Sequence, residues 1–183
     1  IGAQPEVPKG EVVADYLLFN GRTEGVFYGA GTPTCALMAR LSTFCAVGGF
    51  DSCLRRVEDV DFAIRLALAG GHFIGCPQHL FVQHATVAPD KSALKNLEAE
   101  LRLVDKYSEY LKRQGRYKYA QDWFRLRFYH FSGQRLKFMA ALAFFLMQHP
   151  LSGLKHLLRS APSRWKHERK IIAVASKKST VKS

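Results

Sequence analysis

An α/β domain over residues 1–90, followed by a mainly α-helical basic extension over residues 91–176 and a disordered tail over 177–183, is what this sequence predicts. Three observations carry that expectation: short apolar pieces bounded by Pro and Gly near the start, an apolar period of helical spacing that sets in at Asp59, and a change of composition and charge after Pro89. Glu11 to Phe19 and Gly25 to Tyr28 are β-prone, being rich in Val, Tyr and Phe. The loop Gly29-Ala30-Gly31-Thr32-Pro33-Thr34 has neither the G-x-G-x-x-G nor the P-loop spacing and reads as a plain turn. Cys35 to Ala39 reads as a buried strand, and Ser42 or Thr43 as the cap of a short helix through Val47 that Gly48-Gly49 ends. Val60, Ala63, Ile64, Ala67 and Leu68 recur at helical spacing, with Gly70-Gly71 as the stop. His72 to Cys76 and Leu80 to His84, separated by Pro77, read as two strands.

The second half is helical in pattern. Ala93 to Arg113 reads as one charged amphipathic helix with Leu94, Leu97, Leu101 and Val104 along its apolar stripe. Tyr119 to Phe131 interleaves aromatics with Arg125 and Arg127, and Phe138 to Met147 is an unbroken apolar run. That run is too short to cross a bilayer, which takes about 20 residues, so it is either a buried helix or an interfacial one. Pro150 breaks it, and Leu151, Leu154, Leu157 and Leu158 then form a stripe beside Lys155, His156 and Arg159.

With 183 residues and 48% apolar content the chain has material for a sizeable core, which excludes a disordered composition. The net charge of +12 hides a division: residues 1–90 carry six Lys/Arg against nine Asp/Glu, and residues 91–183 carry 21 against six. A basic second half suits phosphate-rich surfaces, either anionic lipid or nucleic acid. Cys35, Cys45, Cys53 and Cys76 show no C-x-x-C pairing and have apolar neighbours, a pattern of free, buried thiols rather than disulfides or a zinc site. A start at Ile1 without Met or signal-peptide stages is expected of a piece cut from a longer polypeptide.

The chemistry-bearing feature is the acidic step Glu58-Asp59-Val60-Asp61 at the entrance of the helix that continues Phe62-Ala63-Ile64-Arg65-Leu66. Acids in a first turn complement the partial positive charge of the helix N-terminus, so capping accounts for part of the cluster. Asp61 and Arg65 stand four residues apart, the spacing of a helix-surface ion pair, which gives Asp61 a structural role and leaves Glu58 and Asp59 for another.

Gly48-Gly49-Phe50-Asp51, the acidic step running into Arg65-Leu66, a glycine pair and a downstream His84 together resemble the C-terminal half of the catalytic domain in family 2 glycosyltransferases, over about residues 25–90. The resemblance implies the acceptor half of a GT-A, Rossmann-like fold, and hexosyl transfer from a nucleotide-diphosphate sugar to a carbohydrate or lipid-linked acceptor hydroxyl with inversion at the anomeric carbon. It implies Asp59 as general base, Glu58 as its orienting neighbour, and Gly49, Phe50 and Asp51 on the acceptor side. His84 would be a ligand of a divalent metal, Mg or Mn. The bland alternatives are a helix cap for Asp59, a turn anchor for Phe50 and a hydrogen-bonding role for His84. The donor-binding βαβ half with its Asp-x-Asp motif has no counterpart before residue 30, so this piece alone is expected to be inactive.

Bacterial-type members that build cell-surface polysaccharide or glycolipid at the cytoplasmic, inner face of the plasma membrane fit the basic extension. On that reading Lys155, Arg159, Arg164, Lys166, Arg169 and Lys170 meet anionic headgroups, each worth about 1 kcal/mol near the surface. The alternative is a helical cap packed on the catalytic domain. A different class of function is a non-catalytic nucleic-acid or partner-binding module, with Trp123 to Phe131 stacking on bases, although no nucleic-acid motif accompanies it.

Overall fold

Glu11–Phe19 is a helix, α1, where Val, Tyr and Phe content suggested a strand. The structure, a computed structural model, describes residues 10–23, 33–71, 73–74 and 92–159. Among these residues there is no strand, and the expected α/β, GT-A-like sheet gives way to an all-helical architecture. The expected strands at Gly25–Tyr28 and Leu80–His84 and the tail at 177–183 lie outside the described residues; of His72–Cys76 only Phe73 and Ile74 are described, and neither is in a strand.

The reason for α1 lies in its packing. Val13, Ala14 and Leu18 are buried and Leu17 partly so, a face of helical spacing, whereas strand alternation would align Asp15 with Val13 and Leu17 on one face. That face packs on α3, Glu58–Leu68, in a core of Val13, Phe62, Ala63, Leu66, Ala67 and Phe73, with Leu37, Phe44 and Val47 at its edge. Asp15, turned away from this core, accepts a 2.6 Å hydrogen bond from the Tyr110 hydroxyl.

Between these helices, Thr34–Ala36 is a single 3-10 turn, and the buried strand expected at Cys35–Ala39 is absent: Leu37 alone of these residues packs against the core, while Cys35, Ala36, Met38 and Ala39 are exposed. Cys35, Cys45 and Cys53 are free as expected but exposed rather than buried; Cys76 lies outside the described residues. The short helix α2, Leu41–Ala46, forms with Arg40 at its N-cap and no side-chain cap, so Ser42 and Thr43 lie inside the helix instead of capping it. Its stop at Gly48-Gly49 and that of α3 at Gly70-Gly71 match the sequence. Gly71 has a steric reason: a Cβ there would stand 2.7 Å from the Leu66 side chain.

Ala93–Arg113, expected as one helix, is two: α4, Ala93–Lys106, and α5, Ser108–Arg113, joined through Tyr107. The Ser92 hydroxyl caps α4 by accepting the Lys95 N–H at 3.2 Å. The buried face of α4 runs through Ala99, Leu103 and Val104, while Leu94, expected in the stripe, is exposed. Helix α6, Tyr117–Phe131, packs along α4 and also meets α1 and α5. Tyr119, Trp123, Phe124 and Leu126 supply its buried face.

The chain divides into two compact units, Ile1–Phe138 and Met139–Ser183. Residues from both sides of position 90 therefore share the first unit. The second unit contains most of α7, Arg135–Gln148, and the helical residues 150–159. No helix among the described residues is long and apolar enough to cross a membrane.

Burial raises the pKa of Asp15, and the Tyr110 hydroxyl opposes that rise. Tyr110→Phe is expected to lower stability by about 1–2 kcal/mol in urea unfolding and to move the Asp15 titration further upward. A strand at residues 11–19 would leave both readings unchanged.

Candidate functional site

The acidic step enters α3 through an unusual residue. Val57, the N-cap, has φ 57° and ψ 18°, the left-handed region that a β-branched side chain rarely occupies. Glu58, Asp59 and Asp61 follow in the first turn, where the helix N-terminus favours negative charge. These carboxylates share one turn but face different surroundings, and this separates their roles.

Asp61 is fully buried, yet both its oxygens are engaged. Oδ2 accepts the Arg65 Nε–H at 2.8 Å, the expected four-residue pair. Oδ1 lies 2.8 Å from Lys106 Nζ and accepts the Tyr107 hydroxyl at 2.9 Å. A buried carboxylate without such partners would cost several kcal/mol, so the three donors are a condition of its burial. Burial and the Asp61 carboxylate push the Tyr107 phenol well above its ordinary range, which keeps it a donor.

Arg65 extends this network to the turn before α3. Its guanidinium donates from Nη2 to the Gly49 carbonyl at 2.6 Å and from Nη1 to the Val47 carbonyl. Gly48 and Gly49 both have positive φ, 80° and 64°, and a Cβ on Gly49 would stand 3.1 Å from the Phe44 ring. Phe50 packs edge-on to Phe44 at 5.0 Å and tilts against Phe62 at 5.6 Å between centroids. Asp51 uses both oxygens: Oδ1 accepts the Cys53 N–H at 2.9 Å, and Oδ2 accepts from Lys106 Nζ at 2.7 Å. Lys106 thus bridges Asp51 and Asp61. Its hydrogen bond, with help from the Cys53 N–H, holds the Asp51 carboxyl below the usual carboxylate range. Burial acts to lower the Lys106 pKa, but the two carboxylates outweigh it and the net direction is upward.

Glu58 and Asp59 take no part in this network. Both are half-buried, and Asp59 Oδ1 accepts the Val60 N–H at 2.8 Å, satisfying a first-turn donor. Gly49, Phe50 and Asp51 are therefore brought to α3 by Arg65 and Lys106, with Glu58 and Asp59 in the same helix before Arg65. His84 lies outside the described residues, and no group of three or more His, Cys, Asp or Glu among the described residues is arranged to hold a metal ion. The described residues do not by themselves fit a divalent metal. Lys155 and Arg159 are exposed in the second unit, while Arg164, Lys166, Arg169 and Lys170 lie outside the described residues.

Sequence reasoning missed Lys106 and Tyr107. Tyr107 carried a weak signal, standing four residues after Leu103 on the buried face of α4. Nothing in spacing could link either residue to Asp61, 45 and 46 positions earlier. A groove of about 400 Å³ between α4 and α6 is lined by residues including Asn96, Glu100, Arg127 and Phe131, and none belongs to the acidic step. Arg127 pairs there with Glu100 at 3.1 Å, and Trp123 and Phe124 are buried, so these two rings of the Trp123–Phe131 stretch are committed to the core rather than displayed for base stacking.

No protein-family model, curated protein or solved structure shows detectable similarity to this chain. The site's chemistry is carried by its own residues.

Asp61→Asn removes the charge that Arg65 and Lys106 share and is expected to destabilise the protein by about 2–3 kcal/mol, measured by chemical denaturation. The lowered Asp51 pKa contributes stability that is present above the ordinary value of 3.8 and lost as pH falls through the lowered folded value. In Lys106→Gln the Asp51 midpoint, followed by carboxyl NMR, is expected to rise toward 3.8, and this acid-side part of the stability profile to shrink.

Proposed function

We propose that this chain forms the acceptor-side part of a sugar transferase, moving a hexosyl group from a nucleotide-diphosphate sugar to an acceptor hydroxyl with inversion. The observation that carries the reading is the Asp61–Arg65 clamp, because it ties the Gly48-Gly49-Phe50-Asp51 turn and the acidic step into one corner of the fold. Two separate sequence motifs thereby meet for a physical reason.

Asp61 and Asp51 spend their oxygens on the clamp, which leaves Glu58 and Asp59 as the carboxylates outside it. An alcohol is a weak nucleophile at neutral pH. In the proposed step Asp59 takes the hydroxyl proton as the acceptor oxygen bonds to the anomeric carbon. The bond from that carbon to the diphosphate breaks at the same time, and its electron pair leaves with the nucleotide diphosphate. Glu58 orients Asp59 or the acceptor. Phe50, 38% exposed, offers an apolar edge to an acceptor ring, while the Gly49 carbonyl and the Asp51 carboxylate hold the corner together.

Val57 supports a functional reading of this turn. A valine held at positive φ costs about 1–3 kcal/mol, and strain of this kind concentrates at functional sites. Mg or Mn with His84 as a ligand belongs to the same proposal as the group that stabilises the departing diphosphate; no step here depends on it. The proposed setting is the cytoplasmic side of the plasma membrane, where nucleotide sugars and lipid-linked acceptors meet.

The test separates base from cap. Asn at position 59 keeps an oxygen for the Val60 N–H but cannot take a proton. Asp59→Asn in the natural full-length protein is expected to lower the rate of sugar transfer by about 10²–10⁴-fold while leaving the melting temperature close to wild type. Unchanged turnover rules out Asp59 as the base.

A further inference from the structure

Helix α7 is apolar on both faces from Phe138 to Met147, yet only one of them is covered. Phe145 is buried, and a Cβ on Gly153 would stand 3.0 Å from its ring. On a straight helix residues eight apart are about 12 Å apart along the axis, so the chain bends at His149-Pro150 and brings Gly153 against the Phe145 ring. Met139, Phe144 and Met147 are turned away from the Phe145 face, with Met147 80% exposed. The following helical residues repeat the division: Gly153 and His156 are buried, while Leu151, Leu154 and Leu158 are exposed by 50–75%. Six large apolar side chains are thereby left to water within 20 residues of the second unit.

Charge identifies what covers them. Residues 139–183 contain nine Lys/Arg and a single acid, Glu168, and Lys155 and Arg159 stand exposed directly beside the leucine stripe. A second copy of the same surface would bring like charges together. An anionic lipid surface accepts both parts at once, apolar side chains among the acyl chains and cations among the headgroups.

We infer that Met139, Phe144, Met147, Leu151, Leu154 and Leu158 form a docking surface for an anionic bilayer, lying in the interface rather than crossing it. The inference deepens the membrane-side part of the proposed function and is independent of the sugar-transfer chemistry. Lys155 and Arg159 set the preference for negative headgroups, and the leucines supply the hold.

The experiment is sedimentation of the full chain with phosphatidylcholine vesicles, with and without about 30% phosphatidylglycerol. Binding is expected to the anionic vesicles, weaker to the neutral ones, and reduced by about 0.5 M salt. The triple variant Leu151→Ser/Leu154→Ser/Leu158→Ser should lower partitioning by about a hundredfold, and Lys155→Gln/Arg159→Gln by about tenfold on anionic vesicles alone. Serine lowers helix propensity as well as hydrophobicity, so Leu154→Trp gives a second reading. In a Trp123→Phe/Trp165→Phe background, which removes the two tryptophans the chain already has, the fluorescence of the introduced indole should shift to the blue on anionic vesicles and be quenched by brominated acyl chains. No binding by the wild-type chain, binding undiminished in the triple variant, or an unshifted emission from the Leu154→Trp variant would each overturn the inference. Self-association lost in the triple variant, without vesicle binding, would assign the surface to a second copy and also overturn it. Vesicle binding together with unchanged sugar transfer in Asp59→Asn counts against the catalytic proposal alone.

Discussion

The buried carboxylate of Asp61 is the constraint on which the first unit depends. A charge with no solvent contact must be matched by donors in place, and here they come from two helices distant in sequence: Arg65 on the same helix, and Lys106 and Tyr107 at the end of α4. The two cations then have a second task. Arg65 grips two carbonyls of the glycine turn, and Lys106 reaches Asp51 at its far end. Buried ion pairs contribute little net stability against well-packed apolar groups, but they are intolerant of misplacement. The network therefore acts chiefly to specify geometry.

That geometry sorts a cluster of acids that looks uniform. Asp61 faces inward and is consumed by pairing, while Asp59 satisfies one first-turn N–H and Glu58 stands beside it. In the proposed reading the proton acceptor is drawn from the carboxylates outside the buried network. The Asp61 network is thus the support, and the residues before it are the candidates for chemistry. The glycine turn belongs to the support as well, since its polar groups are held by Arg65 and Lys106.

The second unit answers to a different force. Its helices bury Phe145, Gly153 and His156 and leave leucines and methionines outside, so the apolar surface is larger than the unit covers for itself. In water this arrangement is unfavourable, and the proposed lipid docking surface rests on that surplus of exposed apolar side chains. The concentration of cations in this part of the sequence is consistent with that environment.

Local signals were legible where they act within a few residues. The periodic residues of Glu58–Leu68, the Gly70-Gly71 stop and the Asp61–Arg65 pair could all be read, because helical spacing and caps depend on neighbours along the chain. Residues 11–19 could not, because Val, Tyr and Phe favour strands in isolation and only the surface of α3 selects the helical face Val13-Ala14-Leu17-Leu18. The break at Tyr107 was hidden for a similar reason, its hydroxyl being required 46 positions away at Asp61. The sequence by itself determined the acidic step, its helix, the glycine stops and the basic second half. Only the tertiary structure decided which carboxylate is buried, which cation meets it and which apolar face stays exposed, since burial and long-range pairing depend on what the rest of the chain brings alongside.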